Sequence, residues 1–106
     1  MSKKWLEENK DEAVSGIDAV ILDMLRSLSN PTHIQVLSAI ERTPRRFSEL
    51  KGELGFHQQL LTRDLNDLKE FGLAMQEDSI YRITSFGAHV LKVYRDFSAQ
   101  ARERTK

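Results

Sequence analysis

Apolar residues recur along this chain at helical spacing in five stretches and at strand spacing in two short ones. Between 14 and 28 they are Val14, Ile17, Val20, Ile21, Leu22, Met24, Leu25 and Leu28, which predicts a helix with a wide apolar face. Ser29-Asn30-Pro31 interrupts it, Asn30 suiting a cap and Pro31 the first turn of a following helix. That helix, 32–43, sets Ile34, Leu37 and Ile40 on one face beside Val36 and stops at Thr43-Pro44. Phe47, Leu50 and Leu54 mark a short third helix, capped by Ser48 and closed by Gly55. A fourth, 57–71, carries Leu61, Leu65 and Leu68 inward, and Gly72 ends it in the usual C-terminal role. Residues 73–76 and 80–83 read as two short strands around a turn at Glu77-Asp78-Ser79. The last stretch, 85–104, places Phe86, Val90, Val93, Tyr94, Phe97 and Ala101 on one side of a long helix.

Four helices, a hairpin and a final helix, with a tight glycine turn between the third and fourth, is the layout of a winged helix-turn-helix. The expected class is therefore mainly α with a small β-hairpin wing (α+β). At 106 residues the chain has the length of one domain, 1–106. Its winged core spans 31–84 and its flanking helices 14–28 and 85–104, while residues 1–12 are polar enough to fray. No apolar run reaches the ~20 residues that cross a bilayer, and the first residues turn acidic where a signal peptide is apolar. With no cysteine there are no disulfides or thiolate sites, and a cytoplasmic location is expected.

Charge changes the picture through its distribution, since the total is zero. Residues 31–47 hold three basic side chains (Arg42, Arg45, Arg46) against Glu41, whereas 48–79 hold three basic and seven acidic ones, a net of −4. Phosphate neutralisation supplies much of the affinity of a DNA binder, so an acidic stretch in its middle matters.

Three segments carry a family resemblance. Leu28-Ser29-Asn30-Pro31-Thr32 with Val36-Leu37 resembles the opening of ArsR-type regulators. Arg46-Phe47-Ser48-Glu49-Leu50, followed by Leu61-Thr62-Arg63-Asp64-Leu65-Asn66-Asp67-Leu68-Lys69-Glu70-Phe71-Gly72-Leu73, is similar to the HxlR-type pattern. Tyr81-Arg82-Ile83-Thr84-Ser85-Phe86-Gly87 resembles the step by which such proteins leave the wing. The resemblance implies a homodimeric transcriptional regulator whose fourth helix lies in the major groove of double-stranded DNA. Gln58, Gln59, Thr62, Arg63 and Asn66 then face the bases, with chemistries that suit adenine, guanine and phosphate. Arg45 and Arg46 before the third helix, and Arg82 on the wing, are the expected phosphate contacts.

The flanking helices carry more apolar surface than a core of this size covers, so a two-fold dimer is expected through Ile17, Ile21, Met24, Val90, Val93, Tyr94 and Phe97. His33, His57 and His89 fall on three different elements with no carboxylate in ligand register, so neither a metal nor another cofactor is expected. No phosphate loop, nucleophile elbow or Ser/His/Asp arrangement is present, which argues against an enzyme. The acidic segment, with its Glu77-Asp78-Ser79 wing tip, motivates a second reading as a winged helix that binds protein and touches DNA weakly or not at all.

Overall fold

The computed structural model describes residues 16–104. The chain divides at the Asn30–Pro31 junction into two compact units. The first contributes helix α1, Gly16–Leu28. Its C-terminal carbonyls are closed by local bonds: the Ser29 amide donates to Leu25 and Arg26, and the Asn30 amide to Ser27. Leu22 and Leu25 are exposed. Val14 and the side chains of Ile17, Val20, Ile21 and Met24 lie outside the described residues.

The second unit runs α2 (Pro31–Arg42), β1 (Arg45–Arg46), α3 (Phe47–Leu54), α4 (Gln58–Glu70), β2 (Ala74–Glu77), β3 (Ile80–Ile83) and α5 (Ser85–Arg104). Its core is built from Val36, Leu37, Ala39 and Ile40 of α2, Leu50 of α3, Leu61, Leu65 and Leu68 of α4, then Leu73, Ala74 and Leu91. These are the inward positions of each helical period, so the apolar pattern translates directly into burial. No helix among the described residues is long and apolar enough to cross a membrane.

Two details depart from the sequence reading. The sheet has three antiparallel strands in the order β1-β3-β2, the first being Arg45–Arg46, which faces Tyr81 and Ile80. Two charged residues have no hydrophobic period, so nothing in the pattern reveals this strand. Its pairing also shifts the start of α3. Arg46 stays extended, at φ −84 and ψ 160, and becomes the N-cap, leaving Ser48 exposed inside the helix rather than capping it. Glu49 accepts the Arg46 amide at 2.9 Å, a carboxylate in the first helical turn where the dipole favours it.

The end of α4 and the start of α5 are joined at one corner. Gly72 adopts φ +73, and its amide and that of Leu73 donate to Lys69 and Leu68, a Schellman closure with Leu73 buried beneath it. Thr84 caps α5 by accepting the Gly87 amide at 2.9 Å, while its hydroxyl donates to the Gly72 carbonyl at 2.6 Å. Gly87 is buried so closely against the chain that a Cβ would lie 2.0 Å from the Leu73 carbonyl oxygen. Backbone cannot yield as a side-chain tip can, so Gly87→Ala is expected to destabilise the fold by about 3 kcal/mol. Thr84→Ala, which removes only the cap and its tether, is expected to cost about 1–2 kcal/mol. Urea unfolding of the two variants checks both the magnitudes and their order.

Candidate nucleic-acid interface

Helices α3 and α4 meet through a turn that Gly55 makes possible at φ +68, its amide closing α3 onto Lys51 at 2.9 Å. From there His57, extended and without a side-chain cap bond, leads into α4. With Leu61, Leu65 and Leu68 inward, Gln58, Gln59, Thr62, Arg63 and Asn66 are all exposed. Together with Asp67 they line a shallow open groove on the first three turns of the helix. The structure thus brings all five candidate base-reading residues onto one surface.

The arginines separate. The two-residue period of a strand turns Arg45 and Arg46 to opposite faces of the sheet. Arg45 is half-buried and held by Glu53 at 3.2 Å, and Glu53 also receives Arg42. Arg46 is exposed and, by strand register, shares a face with Arg82, which is exposed on β3 opposite Met75. Arg46 also borders a second shallow surface with Phe47, Ser48, Gln76, Ser79 and Tyr81. The wing is braced from α4: Lys69 donates to Gln76 at 3.0 Å and lies 5.8 Å from the centre of the Tyr81 ring. Asp78 takes the left-handed conformation at the wing tip, φ 56, and the Gln76 amide donates to its carbonyl. Asp is one of the few residues that accept that geometry, so the acidic tip has a conformational reason.

The absence of a carboxylate in register with any histidine, expected from sequence, is corrected. His33, in the first turn of α2, is buried with Nε2 3.4 Å from Asp64 and 3.1 Å from Asp67. Asp64 is completely buried, and both its oxygens lack a hydrogen-bond partner, as does His33 Nδ1. Asp64 and Asp67 stand three apart on α4, so a helix aims them at the same place. The i,i+3 spacing is visible in the sequence, but the partner 31 residues before Asp64 becomes a neighbour only when α2 packs on α4.

On α5, Leu91 and Gly87 face inward, and Arg95 ties the helix to α2 through Glu41 at 2.7 Å and Ser38 at 3.2 Å. Val90 and Tyr94 are half-buried. Val93 and Phe97 are 53% and 73% exposed, and with Phe86 they form an uncovered apolar stripe.

A helix-turn-helix followed by a braced hairpin and a long helix defines a winged helix. The chain belongs to the family of the HVO_A0261 N-terminal domain, whose model matches residues 23–105. No curated protein matches it. Among solved structures it is similar in fold to quinone-bound YodB from B. subtilis, with TM-score 0.70 and 19% identity over 78% of this chain and 96% of that one. The homodimeric winged helix-turn-helix DNA-binding domain of Mb0332 from Mycobacterium bovis, a possible ArsR-family regulator, gives 0.64 and 22% over 82% and 89%. The repressor BigR from Xylella fastidiosa gives 0.62 and 22% over 93% and 96%. The winged helix expected from the ArsR-like and HxlR-like segments is thus the fold the chain adopts.

His33→Ala leaves the buried Asp64 without its nearest side-chain nitrogen and opens a cavity beside it, so a stability loss of about 2–4 kcal/mol is expected in urea unfolding. Asp67→Asn, at a half-exposed position, is expected to cost about 1 kcal/mol or less.

Proposed function

We propose that this chain is a cytoplasmic, non-enzymatic transcriptional regulator that binds double-stranded DNA as a homodimer. The observation that carries the proposal is the α4 groove surface: Gln58, Gln59, Thr62, Arg63 and Asn66, all exposed, on the second helix of a helix-turn-helix. Gln and Asn can pair with adenine and Arg with guanine in the major groove, and the first turns of such a helix are the part that reaches base edges. Arg46 and Arg82 supply phosphate contacts from one face of the sheet, while Arg45 holds Glu53 and shapes the turn. The neighbours' names support the reading: Mb0332 is called DNA-binding and homodimeric, and BigR a repressor.

A second reading, a protein-binding winged helix, rests on the net −4 of residues 48–79. Much of that acidity has partners inside the fold. Asp67 meets His33, Glu53 meets Arg42 and Arg45, and Glu49 accepts a backbone amide, while Asp64 lies wholly below the surface. Glu70, Glu77 and Asp78 remain, and two of them lie at the wing tip. This favours DNA for the groove and gives the wing tip a small share in binding.

The exposed side of α5 supports the dimer. Phe86, Val93 and Phe97 form an exposed stripe, with Val90 and Tyr94 at its edge, and Leu22 and Leu25 of α1 offer further apolar surface. Apolar patches of this kind mark interfaces, and a two-fold pairing sets recognition helices about one DNA turn, ~34 Å, apart.

Binding sites selected from a random duplex pool, then titrated by anisotropy at two salt concentrations, test the proposal. Arg63→Ala is expected to lose about 1–3 kcal/mol on the selected site and less on random DNA. Arg46→Ala with Arg82→Ala is expected to weaken all sequences alike and lower the salt slope by about two per protomer. Failure to enrich any sequence, with no salt-dependent binding, would favour the protein-binding reading. Sedimentation equilibrium is expected to show a dimer that Val93→Glu and Phe97→Glu dissociate.

A further inference from the structure

We propose that His33, Asp64 and Asp67 form a binding site for a divalent transition-metal ion, zinc being the best match, that pins the recognition helix α4 to α2. The three candidate ligand atoms all lie within 4.8 Å of one another. Tetrahedral bonds of about 2.0–2.1 Å to nitrogen and oxygen require ligand atoms about 3.3–3.4 Å apart. The measured edges from His33 Nε2, 3.4 Å to Asp64 and 3.1 Å to Asp67, match that frame.

The second observation is Asp64 itself. A carboxylate that is 0% exposed with neither oxygen hydrogen-bonded is rare, because burial removes the water that would otherwise satisfy it. Its nearest side-chain nitrogens are His33 Nε2 at 3.4 Å and Arg63 Nη2 at 3.7 Å, and neither makes a hydrogen bond to it. Nε2 carries at most one proton, and the shorter contact takes it toward Asp67. A protonated His33 therefore offers one positive charge to two carboxylates. A divalent cation with a neutral imidazole balances both, and supplies Asp64 with the partner that the protein withholds.

The donor set narrows the ion. One imidazole nitrogen and two carboxylates suit zinc and its first-row neighbours, whereas calcium and magnesium prefer all-oxygen shells. Three protein ligands leave a fourth position, and Asp67, with 39% of its side chain exposed, provides the route to solvent. Both carboxylates belong to α4, so a bound ion removes two negative charges from beneath the groove. The effect on DNA rests on the function proposed above; the metal site does not.

Zinc titrated into chelator-stripped full-length protein against a chromophoric chelator tests the site with no DNA present. One zinc per chain is expected, together with an upward shift of several degrees in the thermal midpoint at saturation. Cobalt in place of zinc is expected to give the visible absorption of a tetrahedral centre. Asp67→Asn, at a half-exposed position, and His33→Gln are each expected to weaken zinc at least tenfold and to abolish the thermal shift. His57→Ala and His89→Ala are expected to bind as wild type. Melting curves in metal-free buffer establish that each variant is folded. No competition for zinc by the wild-type chain overturns the proposal and leaves the cluster a buried ion pair. Undiminished zinc binding by folded Asp67→Asn overturns it too, by placing the ion elsewhere.

Discussion

The contact on which the rest of the second unit depends is the approach of Gly87 to the Leu73 carbonyl, close enough to exclude a Cβ. Leu73 is the residue where α4 has just ended and the wing is about to begin. Its carbonyl also accepts the Thr84 amide, and the Thr84 hydroxyl reaches back to Gly72. Three elements are therefore anchored within a few residues: the C-terminus of α4, the first wing strand and the N-terminus of α5. The direction of α5, and so the aim of its exposed apolar stripe, is set relative to α4 by backbone rather than by adjustable side chains.

Most of the fold is legible in the sequence because its helices are bounded by residues with narrow conformational roles. Gly55 and Gly72 sit at positive φ where α3 and α4 close, and Pro31 opens α2. The five outward residues of α4 are legible for the same reason: once Leu61, Leu65 and Leu68 define the inner face, geometry assigns the rest. What escapes is non-local. β1 is two arginines that become a strand only because β3 passes beside them, and that pairing moves the helix cap from Ser48 to Arg46. The different fates of Arg45 and Arg46, adjacent and chemically alike, likewise follow from the pleat and from Glu53.

The acidic middle of the chain shows how composition misleads when read without depth. Net −4 over residues 48–79 looks hostile to a polyanion, yet it sums groups in very different surroundings. Charges paired with arginines outside the segment, as Glu53 is with Arg42 and Arg45, contribute little to the potential over the groove. Glu77 and Asp78 stand together at the wing tip, where β2 ends and the turn to β3 begins. A short hairpin with Asp78 in the left-handed conformation is a compact turn rather than a probe.

The deepest of those acids also links the α4 groove to the core. Asp64 lies between Leu61, Leu65 and Leu68 on the inner side of α4, while Arg63 and Asp67 beside it belong to the groove. Arg63 faces Asp64 at 3.7 Å on one side and the open surface on the other. Whatever balances the charge around His33 therefore alters the field at Arg63 without any movement of the helix. A buried charge, which solvent ions screen poorly, thus stands next to an exposed arginine of the groove rather than deep among apolar side chains alone.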